Sequence, residues 1–432
     1  MNSDVVELSK AQLHESLDDP SLVSMNFLNE IANDYPEAIS FAPGRPFEGF
    51  FNLEALPRYL DTYRKYLADE GLTEDEVRRT IFQYGRTKGV IHRLVARNLE
   101  VDEGIVVDPE SIVVTVGCQE AMFLVLRALR ATDRDVLLAV APTYVGLTGA
   151  ARLVNLPVLP VAGGETGVDL ADLVDAVRRA RSAGLRPRAL YVMPDFANPS
   201  GLSLDVAARR ELLRVAEQED LLLLEDNPYG LFHGEGGHRP TLKVLDEGRR
   251  VVYLGTFAKT AFPGARIGFV VADQRVADGD RPVELFADHL SKIKSMLTVN
   301  TSPIAQAVVA GKLLEFDCSL VKATVDERAH YRKNLARTLD GLARRFPAGS
   351  GVTWNAPSGG FFVVLTMPFP IDDDLLRYSA REHGVLWTPM HHFVDGGGAT
   401  RQLRLSVSLL TPEEIDAGLD RFAAMVAAHA VA

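Results

Sequence analysis

The chain of 432 residues carries only two cysteines, Cys118 and Cys318. A disulfide framework is excluded, and with it any metal centre built from cysteines, so a reducing compartment is the natural setting. Lysine is scarce as well, because only ten of the 46 basic residues are lysines. None falls between Lys88 and Lys243, and Lys259 stands alone between Lys243 and Lys292. There is no surplus of positive charge. The 58 acidic residues leave a formal charge of −12, which argues against nucleic acid or an anionic membrane as the main partner. No apolar run approaches the roughly 18 residues of a membrane span. The opening stretch, MNSDVVELSKAQLHESLDDP, is acidic and polar where a signal peptide has a basic start and an apolar centre. These absences predict a cytoplasmic protein, and no internal repeat or low-complexity tract complicates that reading.

What the chain does hold is an ordered series of short apolar runs. From Ser111 onward they alternate with helical patterns: SIVVTVG before CQEAMFLVLRALRA, DVLLAVAP before a short helix, PVLPVA before DLADLVDAVRRARSAG, and ALYVMP before DVAARRELLRVAEQED. LLLLED, VVYLGTF and IGFVVA follow. Runs this short, dense in Val and Leu and separated by helices, predict an α/β fold with a mainly parallel sheet covered on both faces. After a helical stretch from Pro282 to Lys312 the pattern changes to a long amphipathic segment, Val321 to Arg345. A smaller set then follows, GGFFVVL, GVLWTP and RQLRLSVS, before a last helix at PEEIDAGLDRFAAMVAAHA. We expect a large domain over residues 51–315 and a smaller α+β domain over 316–432, with residues 1–50 joining the small domain to the active site. The glycine-rich HGEGGH loop, His233 to His238, reads as solvated, and no metal site is expected.

In α/β sheets ligands gather at the carboxyl ends of the strands. Taken in order, those ends offer Gly117, Cys118 and Gln119 opening a helix, then Tyr144, Asn198 within NPSG, Asp226 and Tyr229 within EDNPY, and Thr256 followed by Lys259 and Arg266 within TFAKTAFPGARIGF. One crevice thus collects a phosphate cradle, an aromatic ring, an amide, a carboxylate, a phenol and an amine. As a set, TVGCQEA, APTY, NPSG, EDNPY, TFAKT with FPGARIGF, and LRLSVS resemble the pyridoxal-phosphate-dependent aminotransferases of fold type I, class I/II. Within them the chain is similar to the kynurenine/α-aminoadipate aminotransferase-like branch, over about Ile39 to Leu419.

The resemblance implies a fold type I transferase using pyridoxal 5′-phosphate, with an amino acid and a 2-oxo acid such as 2-oxoglutarate as substrates. Lys259 is then the amine that bonds the cofactor and moves the proton at the substrate's α-carbon. Asp226 holds the pyridine nitrogen charged, Asn198 and Tyr229 reach the 3′ oxygen, and Tyr144 stacks on the ring. Gly117, Cys118, Gln119, Thr256 and Arg266 hold the phosphate. Tyr84 reaches it from a neighbouring subunit, which implies a homodimer. Arg404 pairs with the substrate's α-carboxylate, and Gly44 lets the N-terminal segment pass close to it. Each residue alone has a plainer explanation. Asn198 and Gly44 suit ordinary turns, Asp226 suits a helix cap, Tyr84, Tyr144 and Tyr229 suit packing, and Arg404 suits a surface ion pair.

Ala258 stands where related chains often carry serine, so one phosphate hydroxyl is missing. Cys118 replaces a usual serine; a helix start acidifies a thiol, although a small packing residue is the simpler reading. For the substrate side chain, Phe47, Phe50, Phe51 and Phe393 offer an aromatic lining. His391 and His392, in MHHFVDGGG, either hydrogen-bond a polar tip or stand exposed. A bulky or hydroxylated aromatic amino acid is expected, and the chain looks similar to antibiotic-pathway members acting on dihydroxyphenylglycine or enduracididine-type amino acids. β-Elimination, decarboxylation or oxidation would use the same lysine. A non-catalytic regulator would need a basic helix-turn-helix domain in front, for which the roughly 40 residues before FAPGRP leave no room.

Overall fold

Seven of the apolar runs lie side by side in the computed structural model, which describes residues 6–164, 167–234, 237–394 and 398–430. They are β1 (Ile112–Val116), β2 (Asp135–Ala141), β3 (Val158–Ala162), β4 (Arg186–Val192), β5 (Leu222–Asp226), β6 (Val251–Thr256) and β7 (Ile267–Val271). Their order across the sheet is β1-β7-β6-β5-β4-β2-β3. β7 runs antiparallel to both its neighbours, and the remaining pairs are parallel. Helices cover both faces, so successive residues are buried on opposite sides and no polar alternation survives in the strands. Leu137, Ala139, Ala189 and Leu224 face the helices Gly117–Leu129 and Val145–Leu153. Leu138, Leu190, Val192 and Leu223 face Leu170–Ser182 and Val206–Gln218. Aspartates start the latter two helices: Asp169 accepts from the Ala171 and Asp172 amides, and Asp205 from Ala208.

This order brings six carboxyl strand ends to one edge of the sheet. Because β7 is reversed, its beginning lies at that same edge, and Arg266 sits beside the chain that leaves β6.

The smaller sheet is antiparallel, in the order Thr353–Trp354, Phe362–Thr366, Gln402–Ser406, Thr388–Pro389. The helices Val325–Arg345 and Pro412–Ala430 contribute to its core, where Trp387 is fully buried and donates to the Ser379 hydroxyl at 3.0 Å. The N-terminal segment belongs to this core as well. Ile39–Ser40 pairs in parallel with Val385–Leu386, and the fully buried Phe41 exchanges backbone bonds with Leu386 and Ser406. From there the segment crosses to the open edge of the large sheet.

The pattern misled in two places. The helical stretch expected from Pro282 to Lys312 is two helices, Phe286–Leu297 and Pro303–Glu315. Val299 has a left-handed backbone (φ 63°) between them, and Ser302 caps the second, with proline at its first position. The helix expected from Val321 begins its long run only at Val325.

The start of the helix after β1 lies directly on β7. A Cβ at Gly268 would come within 2.5 Å of the Cys118 nitrogen and the Gly117 carbonyl carbon. Backbone cannot swing aside as a flexible side chain does, so Gly268→Ala should cost about 1–3 kcal/mol. The measurement is the denaturant midpoint, and an unchanged midpoint would show that helix and strand separate freely.

Candidate active site

Along the sheet's open edge lies a cavity of about 250 Å³. Its walls include Cys118, Gln119, Tyr144, Asn198, Asp226, Tyr229, Thr256, Lys259 and Arg266 from the large domain, Arg404 and Phe393 from the small one, and Gly44 from the N-terminal segment. A second cavity, of about 210 Å³, shares Tyr144, Met193 and Asn198 as walls.

Lys259 leaves the end of β6 and donates from Nζ to the Gly44 carbonyl at 2.7 Å. A side chain at Gly44 would strike the Phe362 ring, which is why this carbonyl can come so near. Burial, reinforced by the charges of Arg266, Arg404 and Arg45, brings the Lys259 amine down to about 8, against a partial pull upward from Asp226.

Asp226 ends β5 and is 2 % exposed. Burial raises its carboxyl to about 6, while hydrogen bonds oppose the rise. Tyr191 donates to Oδ2 at 2.6 Å and the Cys118 thiol lies 3.6 Å from Oδ1. Burial and the neighbouring Asp226 push the thiol well up, so the acidification that a helix start suggests does not occur and Cys118 is a packed, protonated thiol. Burial likewise raises the Tyr144 and Tyr229 phenols.

Gly117 has a positive φ of 71°, and a Cβ there would collide with the Arg266 guanidinium. That guanidinium has no carboxylate partner among the described residues. It lies beside a helix start whose first amides have no intrahelical acceptor. Gln119 turns its side chain to the Gly146 carbonyl. The Thr256 hydroxyl accepts from the Ala258 amide at 3.1 Å.

Arg404 is held from three sides. Nη1 donates to Asn198 Oδ1 at 2.5 Å, and Nη2 donates to the Ala42 carbonyl at 2.7 Å and to Thr388 Oγ1 at 3.3 Å. Its Nε is buried without a partner, and Phe362 and Phe393 lie 4.3 and 5.0 Å from the guanidinium carbon. Burial lowers it to about 10.

Other expected residues lie elsewhere. His391 and His392 do not line the cavity. Both reach Asp373, at 3.4 and 2.9 Å, and His392 also meets the Ser24 hydroxyl at 2.8 Å, because a half-buried carboxylate offers them a better partner than an apolar wall. The three donor groups lie within 4.8 Å of one another. Residues 395–397 of the same loop lie outside the described residues. Phe47 and Phe50 pack on the His330 ring, and Phe51 is 43 % exposed, so only Phe393 of the four phenylalanines reaches the cavity. Tyr84 is 82 % exposed, away from this chain's own cavity. His238 is not solvated but pairs with the buried Glu103 at 2.7 Å.

The wall residues that were missed include Met25, Arg45, Val145 and Met193 of the first cavity and Tyr191 of the second. Tyr191 had a visible signal, since a phenol within a strand buried on both faces needs a hydrogen-bond partner. Met25 and Arg45 had none, because tertiary folding alone brings the N-terminal segment across.

The fit to a phosphorylated heterocyclic aldehyde is direct. An unpaired guanidinium and free helix amides suit the phosphate, a buried acid suits a ring nitrogen, and a depressed amine suits the aldehyde. Fold and cavity together define a pyridoxal-phosphate enzyme of fold type I. The family description "aminotransferase class I and II" matches residues 65–422, and the chain belongs to that family. It is 58 % identical, over 98 % of its length and 95 % of the relative's, to (S)-3,5-dihydroxyphenylglycine transaminase of Amycolatopsis orientalis. Its fold is similar to that of LysN, the α-aminoadipate aminotransferase of Thermus thermophilus solved with N-(5′-phosphopyridoxyl)-L-leucine (TM-score 0.80, 28 % identity, 98 % and 100 % of the two chains). It is equally similar to Pyrococcus horikoshii kynurenine aminotransferase (TM-score 0.80, 25 % identity, 98 % and 97 %).

Two outcomes are expected. Only the neutral amine acylates, so acetylation of Lys259 in cofactor-free protein, followed by mass spectrometry, should rise with pH about a midpoint near 8. A midpoint above 10 would contradict the electrostatics described. Tyr191→Phe removes a donor from a buried carboxylate and should weaken cofactor binding roughly tenfold. Titration of cofactor-free protein checks this, and an unchanged dissociation constant would deny Tyr191 that role.

Proposed function

We propose that this aminotransferase moves the amino group of a hydroxylated aromatic amino acid, of the 3,5-dihydroxyphenylglycine type, to or from a 2-oxo acid such as 2-oxoglutarate. The observation that carries the reading is the buried amine of Lys259, set in one cavity with Asp226 and Arg404. When bound, pyridoxal phosphate supplies an electron sink for the substrate's α-carbon. Asp226 is the acid that would pair with its ring nitrogen, Tyr144 the face it lies against, and Asn198 and Tyr229 the partners of its ring oxygen. Gly117, Cys118, Gln119, Thr256 and Arg266 form the phosphate grip.

Lys259 is the group that would carry the proton to and from the α-carbon. Its amine, brought down to about 8, still carries its proton for most of the time near neutral pH but gives it up far more readily than an ordinary lysine, which suits a group that must both take and return a proton. Arg404 orients the substrate through its carboxylate. Its positive charge and its partner-free Nε support that role. Val145, Met25 and Phe393 form an apolar wall suited to a ring. The identity to the dihydroxyphenylglycine enzyme supports the substrate class and, with it, a place in antibiotic biosynthesis.

We further propose a homodimer in which Tyr84 enters the partner's phosphate site. The exposure of Phe82, Tyr84, Met296 and Val299, between 51 % and 82 %, supports it. The division at residues 50 and 315, with the N-terminal segment serving the small domain, belongs to the same reading. A cytoplasmic setting is supported by two unpaired cysteines. No described helix is long and apolar enough to cross a membrane.

Amino-donor panels test the substrate. Purified enzyme should turn over dihydroxyphenylglycine or a related aromatic amino acid, and inertness toward every aromatic donor would remove the proposal. Lys259→Ala should abolish transamination while keeping the fold. Arg404→Gln should raise KM roughly a hundredfold for donors of every side chain; a change confined to aromatic donors would mean that Arg404 reads side chains instead.

A further inference from the structure

Next to the wall residues Met25 and Phe393 stand two histidines and a carboxylate that the chemistry above does not use. Asp373 opens the small domain's helix Asp373–Tyr378, and His391 and His392 lie on the short turn Met390–Phe393. Nε2 of each ring comes to the same carboxylate oxygen, Oδ1, at 3.4 and 2.9 Å, and the ring centres are 4.2 Å apart. All three candidate ligand atoms lie within 4.8 Å of one another. A tetrahedral zinc with bonds of about 2.0–2.1 Å sets neighbouring ligand atoms roughly 3.3 Å apart, and both nitrogen–oxygen separations fall within about 0.4 Å of that. The sequence alone predicts no metal site, since the aspartate and the histidine pair stand apart in it.

His392 adds an independent mark of a ligand. Its side chain is 7 % exposed, its ring lies 5.2 Å from that of Phe27, and its other nitrogen, Nδ1, meets the Ser24 hydroxyl at 2.8 Å. With the ring proton on Nδ1 and donated to Ser24, Nε2 presents its lone pair beside Asp373, as outer partners arrange for metal-bound histidines. The His391 and Asp373 side chains are 31 % and 32 % exposed, which leaves water access for a fourth ligand.

We propose that Asp373, His391 and His392 bind one divalent transition-metal ion of the zinc class, completed by water, as a structural clasp. Two imidazoles and a carboxylate suit such an ion, whereas magnesium and calcium take oxygen ligands. Three parts of the chain meet at the clasp. Ser24 belongs to the N-terminal helix Pro20–Asp34 and adjoins Met25, and Asp373 belongs to the small domain. From the same turn the Phe393 carbonyl accepts from the Thr143 amide of the large domain at 2.9 Å, beside Tyr144. Binding the ion therefore fastens the segments that carry Met25, Phe393 and Tyr144, all walls of the cavity, without touching the reacting atoms.

The test takes untagged holoenzyme, treated with EDTA and desalted from unbound cofactor, and titrates it with zinc chloride by equilibrium dialysis and metal analysis. Wild type should take up one zinc per chain with a Kd on the order of a micromolar. Cobalt(II) in its place should give the visible bands of a tetrahedral site. His391→Ala and Asp373→Asn, each keeping its cofactor absorption, should weaken uptake by about 100-fold or more, and Ser24→Ala roughly tenfold through the outer hydrogen bond. His289→Ala, which removes a histidine paired with Glu284 elsewhere, should leave uptake unchanged. Zinc should also raise the melting midpoint of wild type by a few degrees and leave those of His391→Ala and Asp373→Asn unmoved. A wild type that takes up no zinc even at about 100 μM would overturn the site. Uptake that survives both ligand substitutions would overturn it too, by placing the zinc elsewhere, and uptake without a rise in the midpoint would deny the clasp. Transamination enters none of these readings, so they stand or fall apart from the substrate the enzyme takes.

Discussion

A surplus of positive charge in one cavity governs this site. Lys259, Arg266, Arg404 and Arg45 converge where Asp226 is the carboxylate, in a chain whose formal charge is −12. Burial makes this excess costly, since charges removed from water interact over a lower effective dielectric. The cost is visible in the lowered Lys259 amine, where the arginines add to burial. The protein leaves the imbalance standing because its ligands are anions. A phosphate and one or two carboxylates complete the electrostatics, and they bind where positive charge has already been assembled.

The fold delivers those charges from three separate parts of the chain. Four parallel ends and one reversed beginning place Tyr144, Asn198, Asp226, Lys259 and Arg266 along a single edge. The small domain supplies Arg404 from its central strand pair, where Val364 lies opposite Arg404. The N-terminal segment threads between the two, and its Ala42 and Gly44 carbonyls bind Arg404 and Lys259. Backbone oxygens hold these two cations in place without adding a negative charge that would cancel them.

Much of this was legible in the sequence for a physical reason. Buried parallel strands must be continuous apolar runs, and polar residues just beyond such runs need a purpose, so Asp226 after LLLL and Lys259 after VVYLGTF announced themselves. Arg404 was legible through its resemblance to a family rather than through its own strand. What lay beyond reach depended on tertiary choices. His391 and His392 turned to Asp373, which stands 18 residues before the first of them, and no local pattern signals that pairing. Phe47 and Phe50 found His330 instead of the cavity. Arg45 looked like any loop arginine until the segment carrying it was seen lying across the sheet edge.

The link between β6 and β7 has a consequence for divergence. Thr256 lies opposite Gly268 in an antiparallel pair, so both ends of the intervening bend are clamped by the sheet. That bend carries the Lys259 amine near its start and the Arg266 guanidinium at its end. Insertion or deletion of even one residue would drag the two groups out of alignment with each other. The spacing between the two groups therefore constrains the length of this bend more tightly than the identity of the small residues within it.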